Sequence, residues 1–387
     1  MINTVIWGTE KISALLKQII EKLYNKEALA QNGDTLNIVG FVKEEISTAD
    51  IYETISEKDV FSLSQISEKY SQGLVDIIIV PIDLYMGAND IIFSMINCNI
   101  NLKDIFLFER SALYSSDHID EMIEPFLSKS YLPYLEYHVA DHCNLKCRGC
   151  EHYSGLVESP KFPVFNDFEV QFTKLKSLIN DIGVIRILGG EPLLNKELGK
   201  YMVLTRRLYP YASICIVTNA LLINSMDDEF YDLMRRENIY FSISFYPPLE
   251  NNMTDIISFL KEKNVKYMLF DMVKEFTIKQ TLRESEDNDY FYRCHQARCT
   301  NFYEGRLAAC FLPFMTCYFN EAFKDKLIKP LPSDGGIDIM GEKLSVEDIK
   351  TRLFKPFERC RYCTDPVSIK WSVIGKEKKL EDWVQIK

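Results

Sequence analysis

The chain has 387 residues, enough for two or three domains. Hydrophobic residues make up 47% and charged residues 26%, with 16 Gly and 14 Pro, a composition that supports a sizeable core and excludes wholesale disorder. A formal charge of -11, with no clustering of Lys and Arg, disfavours a nucleic-acid binder but leaves room for a small anionic ligand in a local pocket.

At the N-terminus, Glu10 and Lys11 interrupt the apolar run and no basic n-region precedes it, so no signal peptide is expected. The longest apolar candidate, VDIIIVPI at 75–82, falls well short of the roughly 18 residues a membrane span needs. A cytoplasmic protein is therefore expected, without membrane association. Its eleven cysteines then read as reduced thiols for metal binding or catalysis rather than as disulfides.

Residues 1–130 alternate strand and helix. Apolar strands are predicted at 4–7, 36–42, 75–82 and 104–108. Ile12, Leu15, Leu16, Ile19, Ile20 and Leu23 recur at the spacing of one helix face, and further helical stretches lie near 62–72 and 88–98. This order implies a doubly wound parallel sheet, a Rossmann-like domain. A dinucleotide site would want G-x-G-x-x-G after the first strand, so that a pyrophosphate can approach backbone amides. The segment Gly8-Thr9-Glu10-Lys11-Ile12-Ser13 keeps only the first glycine and sets a carboxylate where phosphate would pass. Substrate handling or subunit contact is the expected role.

From 131 to 285 strands are predicted at 134–139, 184–188, 213–217, 240–244 and 266–270. Between the first two lies a helix at 167–182, with Phe168, Phe172, Leu175, Ile179 and Ile182 on one face and Asn166 as its cap. Repeated strand and helix suggest an incomplete (β/α) barrel with reactive groups at the C-terminal strand ends. There Cys143, Cys147 and Cys150 form C-x3-C-x2-C directly after the first barrel strand. Three thiolates so spaced can hold three corners of a cubane iron–sulfur cluster and leave one iron open. A structural zinc site completed by His142 or His152, or simple buried cysteines, are the bland alternatives. Thr218 and Asn219 end the third strand, and Ser242 and Ser244 lie on one side of the fourth, where hydroxyls can meet a ligand.

Residues 286–387 are loop-rich and carry Cys294, Cys299, Cys310, Cys317, Cys360 and Cys363, which suggests a segment stapled by a metal centre. Glu304-Gly305 is a hairpin signal with strands at 301–303 and 306–308. Pairing outward from that turn sets Cys299 opposite Cys310. Structural zinc is again the bland alternative.

CNLKCRGC, followed about 40 residues on by Ile187-Leu188-Gly189-Gly190-Glu191-Pro192-Leu193-Leu194, resembles the radical S-adenosylmethionine (SAM) superfamily over residues 131 to about 275. The resemblance implies an α/β fold with a partial (β/α)6 barrel. It also implies a [4Fe-4S] cluster on Cys143, Cys147 and Cys150 whose open iron chelates SAM, and SAM contacts from Gly189, Gly190, Glu191, Asn219, Ser242 and Ser244. Gly149 stands where the family usually has an aromatic residue. The spacing C-x10-G-x4-C from Cys294 to Cys310, with Cys360-Arg-Tyr-Cys363, resembles the twitch/SPASM auxiliary-cluster domains. It implies one auxiliary [4Fe-4S] cluster on Cys294, Cys310, Cys360 and Cys363, with Cys299 as the rival to Cys294. LNIVGFVKEE is similar to the second strand of Rossmann-like domains of sugar-modifying proteins.

The implied activity is hydrogen abstraction by a 5′-deoxyadenosyl radical from a small-molecule substrate, a sugar or sugar conjugate first, served by a reductant such as flavodoxin or ferredoxin. Oxidation of an alcohol would use the auxiliary cluster as electron acceptor. Epimerisation would use a hydrogen-donating thiol, Cys317 or Cys299. His152, Tyr153, Tyr246 and His295 are candidate substrate groups. Peptide modification, and a non-catalytic iron–sulfur sensor, are the alternatives.

Overall fold

Short β-branched runs build the N-terminal sheet of the computed structural model, which describes residues 1–8, 11–21, 25, 35–43, 55–82, 88–101, 104–109, 130–285, 290–375 and 377–386. In chain order its elements are β1 (Ile2–Trp7), α1 (Lys11–Ile19), β2 (Leu36–Val42), β3 (Val60–Phe61), α2 (Leu63–Ser71), β4 (Ile77–Ile82), α3 (Ala88–Asn97) and β5 (Ile105–Glu109). The strands are all parallel in the order β3-β2-β1-β4-β5, which is the doubly wound topology. Leu16 of α1 and Ile20 just beyond it are buried while Leu15 is 38% exposed, so the apolar face is narrower than the spacing predicts. Thr9, Glu10 and Leu23, and the side chains of Ile12 and Ile19, lie outside the described residues.

The second unit runs β6 (Tyr131–Ala140), α4 (Phe165–Leu178), β7 (Asp181–Gly189), α5 (Leu198–Leu208), β8 (Ser213–Thr218), α6 (Asp228–Arg236), β9 (Ile239–Ile243), α7 (Met253–Glu262) and β10 (Tyr267–Leu269). Its strands pair in parallel, in chain order. Alternation divides each strand between two faces. Leu135, Tyr137 and Val139, with Ile185, Ile187, Ile214, Ile216, Phe241 and Ile243, face the helices and form the main core with Phe168, Phe172 and Leu175 of α4. Each such side chain contributes roughly 1.5–3 kcal/mol by leaving water. The predicted helix is shifted: α4 begins at Phe165 and its cap is Val164, so Asn166 lies inside the helix and caps nothing. Ile179 is its C-cap residue and Ile182 sits on β7, yet both remain in the same core.

The last elements are β11 (Glu275–Gln280), α8 (Tyr290–Arg293), β12 (Asn301–Tyr303), β13 (Arg306–Ala308), α9 (Leu312–Ala322), β14 (Ile337–Asp338), α10 (Val346–Leu353) and β15 (Cys363–Lys370). β12 and β13 form the expected hairpin, with both Glu304 and Gly305 at positive φ, as a tight two-residue turn requires. β12 also pairs in parallel with β6, Asn301 opposite Glu136, so the large sheet reads β10-β9-β8-β7-β6-β12-β13-β14. The sixth parallel strand of the open barrel thus comes from the C-terminal segment. β11 leaves this sheet and pairs antiparallel with β15. A second core of Phe311, Leu312, Phe314, Met315, Phe319 and Trp383 also takes in Tyr153 and Leu156 from beyond the cysteine loop. α3 packs against α8 and the turn at 295–298, and Phe354 reaches the core of the first sheet.

Candidate active site

The strand face turned away from the helices is polar. It presents Tyr134, Glu136 and His138 on β6, Arg186 on β7, Cys215 on β8, and Tyr240 and Ser242 on β9. Tyr134 donates to Glu136 Oε2 at 2.7 Å and Asn301 Nδ2 to Glu136 Oε1 at 3.3 Å. Burial pushes the Glu136 carboxyl up, against the opposing pull of Arg186. Cys299 lies in this same cluster, beside Glu136 and Arg186, its thiol pushed up to about 12 by burial.

Where β6 ends, Asp141 Oδ1 stands 3.3 Å from His138 Nδ1, and His138 Nε2 stands 3.0 Å from His152 Nδ1. Asp141 Oδ2 accepts from the hydroxyls of Tyr303 at 2.7 Å and of Tyr318. Burial would raise the Asp141 carboxyl, but the hydrogen bond and charge of His138 and the two hydroxyls outweigh it and hold it below the usual range. The His152 ring stacks on Phe311, with centroids 3.7 Å apart.

Cys143, Cys147 and Cys150 are brought together in the loop that follows β6; burial pushes Cys143 and Cys147 up to about 12, and the neighbouring Cys150 thiol adds to the rise of both. Backbone N–H groups point at the sulfurs: Leu145 donates to Cys143 Sγ at 3.3 Å, and Cys150 has Ser154 and His152 N–H groups beside it. Tyr246 stands next to all three thiols and stacks on Trp371, with centroids 6.0 Å apart. The C-terminal segment closes over the loop, since Arg148 N–H donates to Ser372 O at 2.8 Å and Ile374 N–H to Lys146 O at 2.8 Å. Gly149 takes φ 74°, and a Cβ there would stand 2.7 Å from Ile369 Cδ1. A left-handed turn under β15 therefore replaces the aromatic residue of the family pattern.

The Gly189-Gly190-Glu191 segment is stitched to the start of this loop. Gly190 N–H donates to Ala140 O at 2.6 Å and Glu191 N–H to His142 O at 3.1 Å. A Cβ on Gly189 would lie 2.0 Å from Ala140 O, so the approach of the two strand ends requires glycine there. Glu191 is fully buried; its Oε1 accepts from Leu193 N–H at 3.1 Å and Thr218 Oγ1 at 2.8 Å, and its Oε2 from Asn219 N–H at 2.9 Å. Burial raises this carboxyl to about 7 against those donors. Three of roughly four acceptor positions are therefore used internally. Asn219 Nδ2 reaches Cys143 Sγ at 3.5 Å and Asn144 Oδ1 at 2.8 Å. Ser242 is buried on β9, and Ser244 lies just past its end, its N–H bonded to Thr218 O.

A cavity under α9 is lined by Cys294, Cys310, Cys360 and Cys363, together with Lys279 and Arg359. Cys299 is not among its lining residues. Burial opposes the charge of Lys279, but Glu151 and the Cys294, Cys363 and Cys310 thiols hold its ammonium above its ordinary range. Among the described residues no three His, Cys, Asp or Glu side chains converge closely enough for a single metal ion. Cys294, Cys310, Cys360 and Cys363 instead line one shared cavity. Cys317 stands apart from both groups, exposed on α9, its thiol donating to Phe314 O at 3.2 Å. Tyr153 is fully buried, with its hydroxyl bonded to Gln280, and serves packing. His295 is exposed, within electrostatic reach of Lys279. Lys279, Arg359 and Trp371 were not singled out by any sequence pattern.

Comparison with known families matches residues 137–257 to the Radical SAM superfamily. These residues form a radical SAM domain. The domain holds β6 to β9, the cysteine loop and the Gly189–Glu191 segment. A GTP 3',8-cyclase of Clostridium botulinum (strain Okra / Type B1) is 33% identical over 108 residues, 27% of this chain and 34% of that protein. Another, from Sulfurimonas denitrificans, is 32% identical over 108 residues, 27% of this chain and 33% of that protein. The chain thus spans about a third of the length of these relatives. Among solved structures, Streptococcus suis SuiB bound to S-adenosylmethionine is 18% identical, over 39% of this chain and 36% of that chain, with a TM-score of 0.30. BtrN in complex with AdoMet and 2-DOIA is 16% identical, over 66% of this chain and 98% of that chain, with a TM-score of 0.36. Overlaps this loose carry no functional argument. The radical SAM family implies SAM and one [4Fe-4S] cluster, and no helix among the described residues is long and apolar enough to cross a membrane.

Proposed function

We propose that this chain is a radical SAM oxidoreductase that oxidises an alcohol carbon of a small hydroxylated substrate, a sugar or sugar conjugate, with a second, auxiliary [4Fe-4S] cluster as electron acceptor. The observation that carries this reading is the cavity that four thiols line together with two buried cations, Lys279 and Arg359. When bound, the first cluster and SAM supply a 5′-deoxyadenosyl radical able to take hydrogen from an unactivated C–H bond. Cys143, Cys147 and Cys150 would hold that cluster, and their loop N–H groups favour charged sulfur. Gly189, Gly190, Asn219, Ser242 and Ser244 would shape the SAM site, with Glu191 holding the ends of β7 and β8 in register. Cys294, Cys310, Cys360 and Cys363 would hold the auxiliary cluster.

An auxiliary cluster held there would accept the one electron left once the alcohol carbon has given a hydrogen atom to the radical, and the hydroxyl proton would pass to solvent, leaving a carbonyl. Glu151 Oε1 and Gln296 Oε1 are buried acceptors with no hydrogen-bond partner among the described residues, which suits a substrate rich in hydroxyl donors. The curated relatives are named for chemistry on GTP, a small molecule, which supports that class over peptides without transferring the substrate. Epimerisation is the second reading, because the Cys299 thiol lies in the Glu136–Arg186 cluster and is not among the residues lining the four-thiol cavity, which leaves it as a hydrogen-atom donor.

One comparison separates the two. Replacing Cys360 and Cys363 by Ala should stop product formation while part of the SAM cleavage persists, and product formed in D2O should carry no deuterium from this step. A redox-neutral product with one deuterium at an inverted carbon, lost in Cys299→Ala, would establish epimerisation instead.

A further inference from the structure

Two buried cations line the cysteine cavity. Arg359 is 2% exposed, with Nε donating to Thr316 Oγ1 at 3.0 Å and its two terminal nitrogens to Tyr362 O at 3.3 Å and Gln280 Oε1 at 2.7 Å. Lys279 has a side chain 1% exposed and places Nζ 3.3 Å from Glu151 Oε2, the residue next to Cys150. A buried charge costs several kcal/mol unless it is paired. Glu151 pairs Lys279 on one side only, and the other side faces the thiols. The neighbouring Gln280 joins Arg359 to the Tyr153 hydroxyl. Two consecutive strand residues normally point to opposite faces. Here Lys279 and Gln280 are both 1% exposed because the register of β11 against β15 shifts between Ile278 and Gln280, opposite Pro366, which has no N–H to keep the ladder regular.

We infer that Lys279, with Arg359 behind it, is the fixed counter-charge that sets the reduction potential of the auxiliary cluster, with Glu151 opposing it from the loop of the first cluster. The inference rests on the reading of the four thiols as cluster ligands. Four thiolates around an oxidised cubane carry roughly two negative charges, and reduction by one electron adds a third. In a low-dielectric interior a cation at contact favours the reduced form. The electron would come from the substrate radical, whose hydroxyl proton would pass to solvent as the carbonyl forms. Lys279 moves no proton; it sets how far that electron transfer runs. It is a positioning residue, joining the two cluster sites through Glu151.

The test uses protein in which Cys143, Cys147 and Cys150 are Ala, so that only the auxiliary cluster of about four irons is read by EPR during a potential titration. Lys279→Met should lower the midpoint potential by the equivalent of at least tenfold in the reduction equilibrium, about 59 mV. Glu151→Gln should raise it, and Lys279→Arg should stay near the parent. Shifts of the same sign in Lys279→Met and Glu151→Gln, or no shift in either, overturn the counter-charge role. If Lys279→Met fails to retain iron, an unmoved potential in Glu151→Gln overturns it equally. Absence of iron in the parent variant would remove the auxiliary cluster itself, an outcome distinct from a cluster whose potential ignores these charges.

Discussion

Glu191 holds more of the site together than its place in a short motif implies. Its carboxylate ties the end of β7 to Thr218 and Asn219 of β8 and caps the turn at Pro192–Leu194. Glu191→Ala strands two backbone N–H groups and a hydroxyl in a fully buried place, at about 1–3 kcal/mol for each unmet donor. We expect this variant to lose about 2–5 kcal/mol of stability and to bind SAM at least tenfold more weakly, read by thermal unfolding and equilibrium binding on the same preparation. Wild-type stability with wild-type SAM affinity would show that the segment is only a turn. The cysteines, the two glycines and Glu191 are legible in the sequence because their spacing is local. The internal use of Glu191 is not, since its partners come from a strand some 27 positions away.

At the scale of elements, alternation and helical spacing read the strands and helices well wherever one face is apolar throughout. They fail where a register irregularity intervenes. In EFTIKQ the period of two assigns Lys279 to the outer face, and only the shift opposite Pro366 turns it inward. The end of α4 was misjudged for a related reason: Ile179 and Ile182 keep the helical spacing but belong to the cap and to β7. Helix α10 offers a clean check of burial on a single element. Burial pushes the Lys350 ammonium down to about 8 from an ordinary 10.5. Stability from this group is therefore full above about pH 10.5 and is lost as pH falls through about 8. Lys350→Met should stabilise the protein by about 1–3 kcal/mol at pH 7 in denaturant titrations, with the gain vanishing above about pH 10.5. Destabilisation at pH 7 would mean that the ammonium makes a favourable contact there.

For the whole molecule, the C-terminal segment is joined to the barrel more closely than its loop-rich sequence suggests. β12 extends the barrel sheet, β15 binds β11, and residues 371–374 lie over the first cysteine loop. None of these contacts has a local signature, because each joins stretches separated by more than 80 residues. The cysteine pattern was legible across that distance only because thiols at fixed spacings announce a shared ligand group. Their convergence on one cavity brings in Lys279 and Arg359, which no spacing announces. The most direct test of two clusters on one chain is the iron and sulfide content of anaerobically reconstituted protein. The account predicts about eight irons per chain, falling by about half when Cys143, Cys147 and Cys150 are all Ala, with 5′-deoxyadenosine formation abolished in that variant. One or two zinc ions per chain and no iron would contradict it.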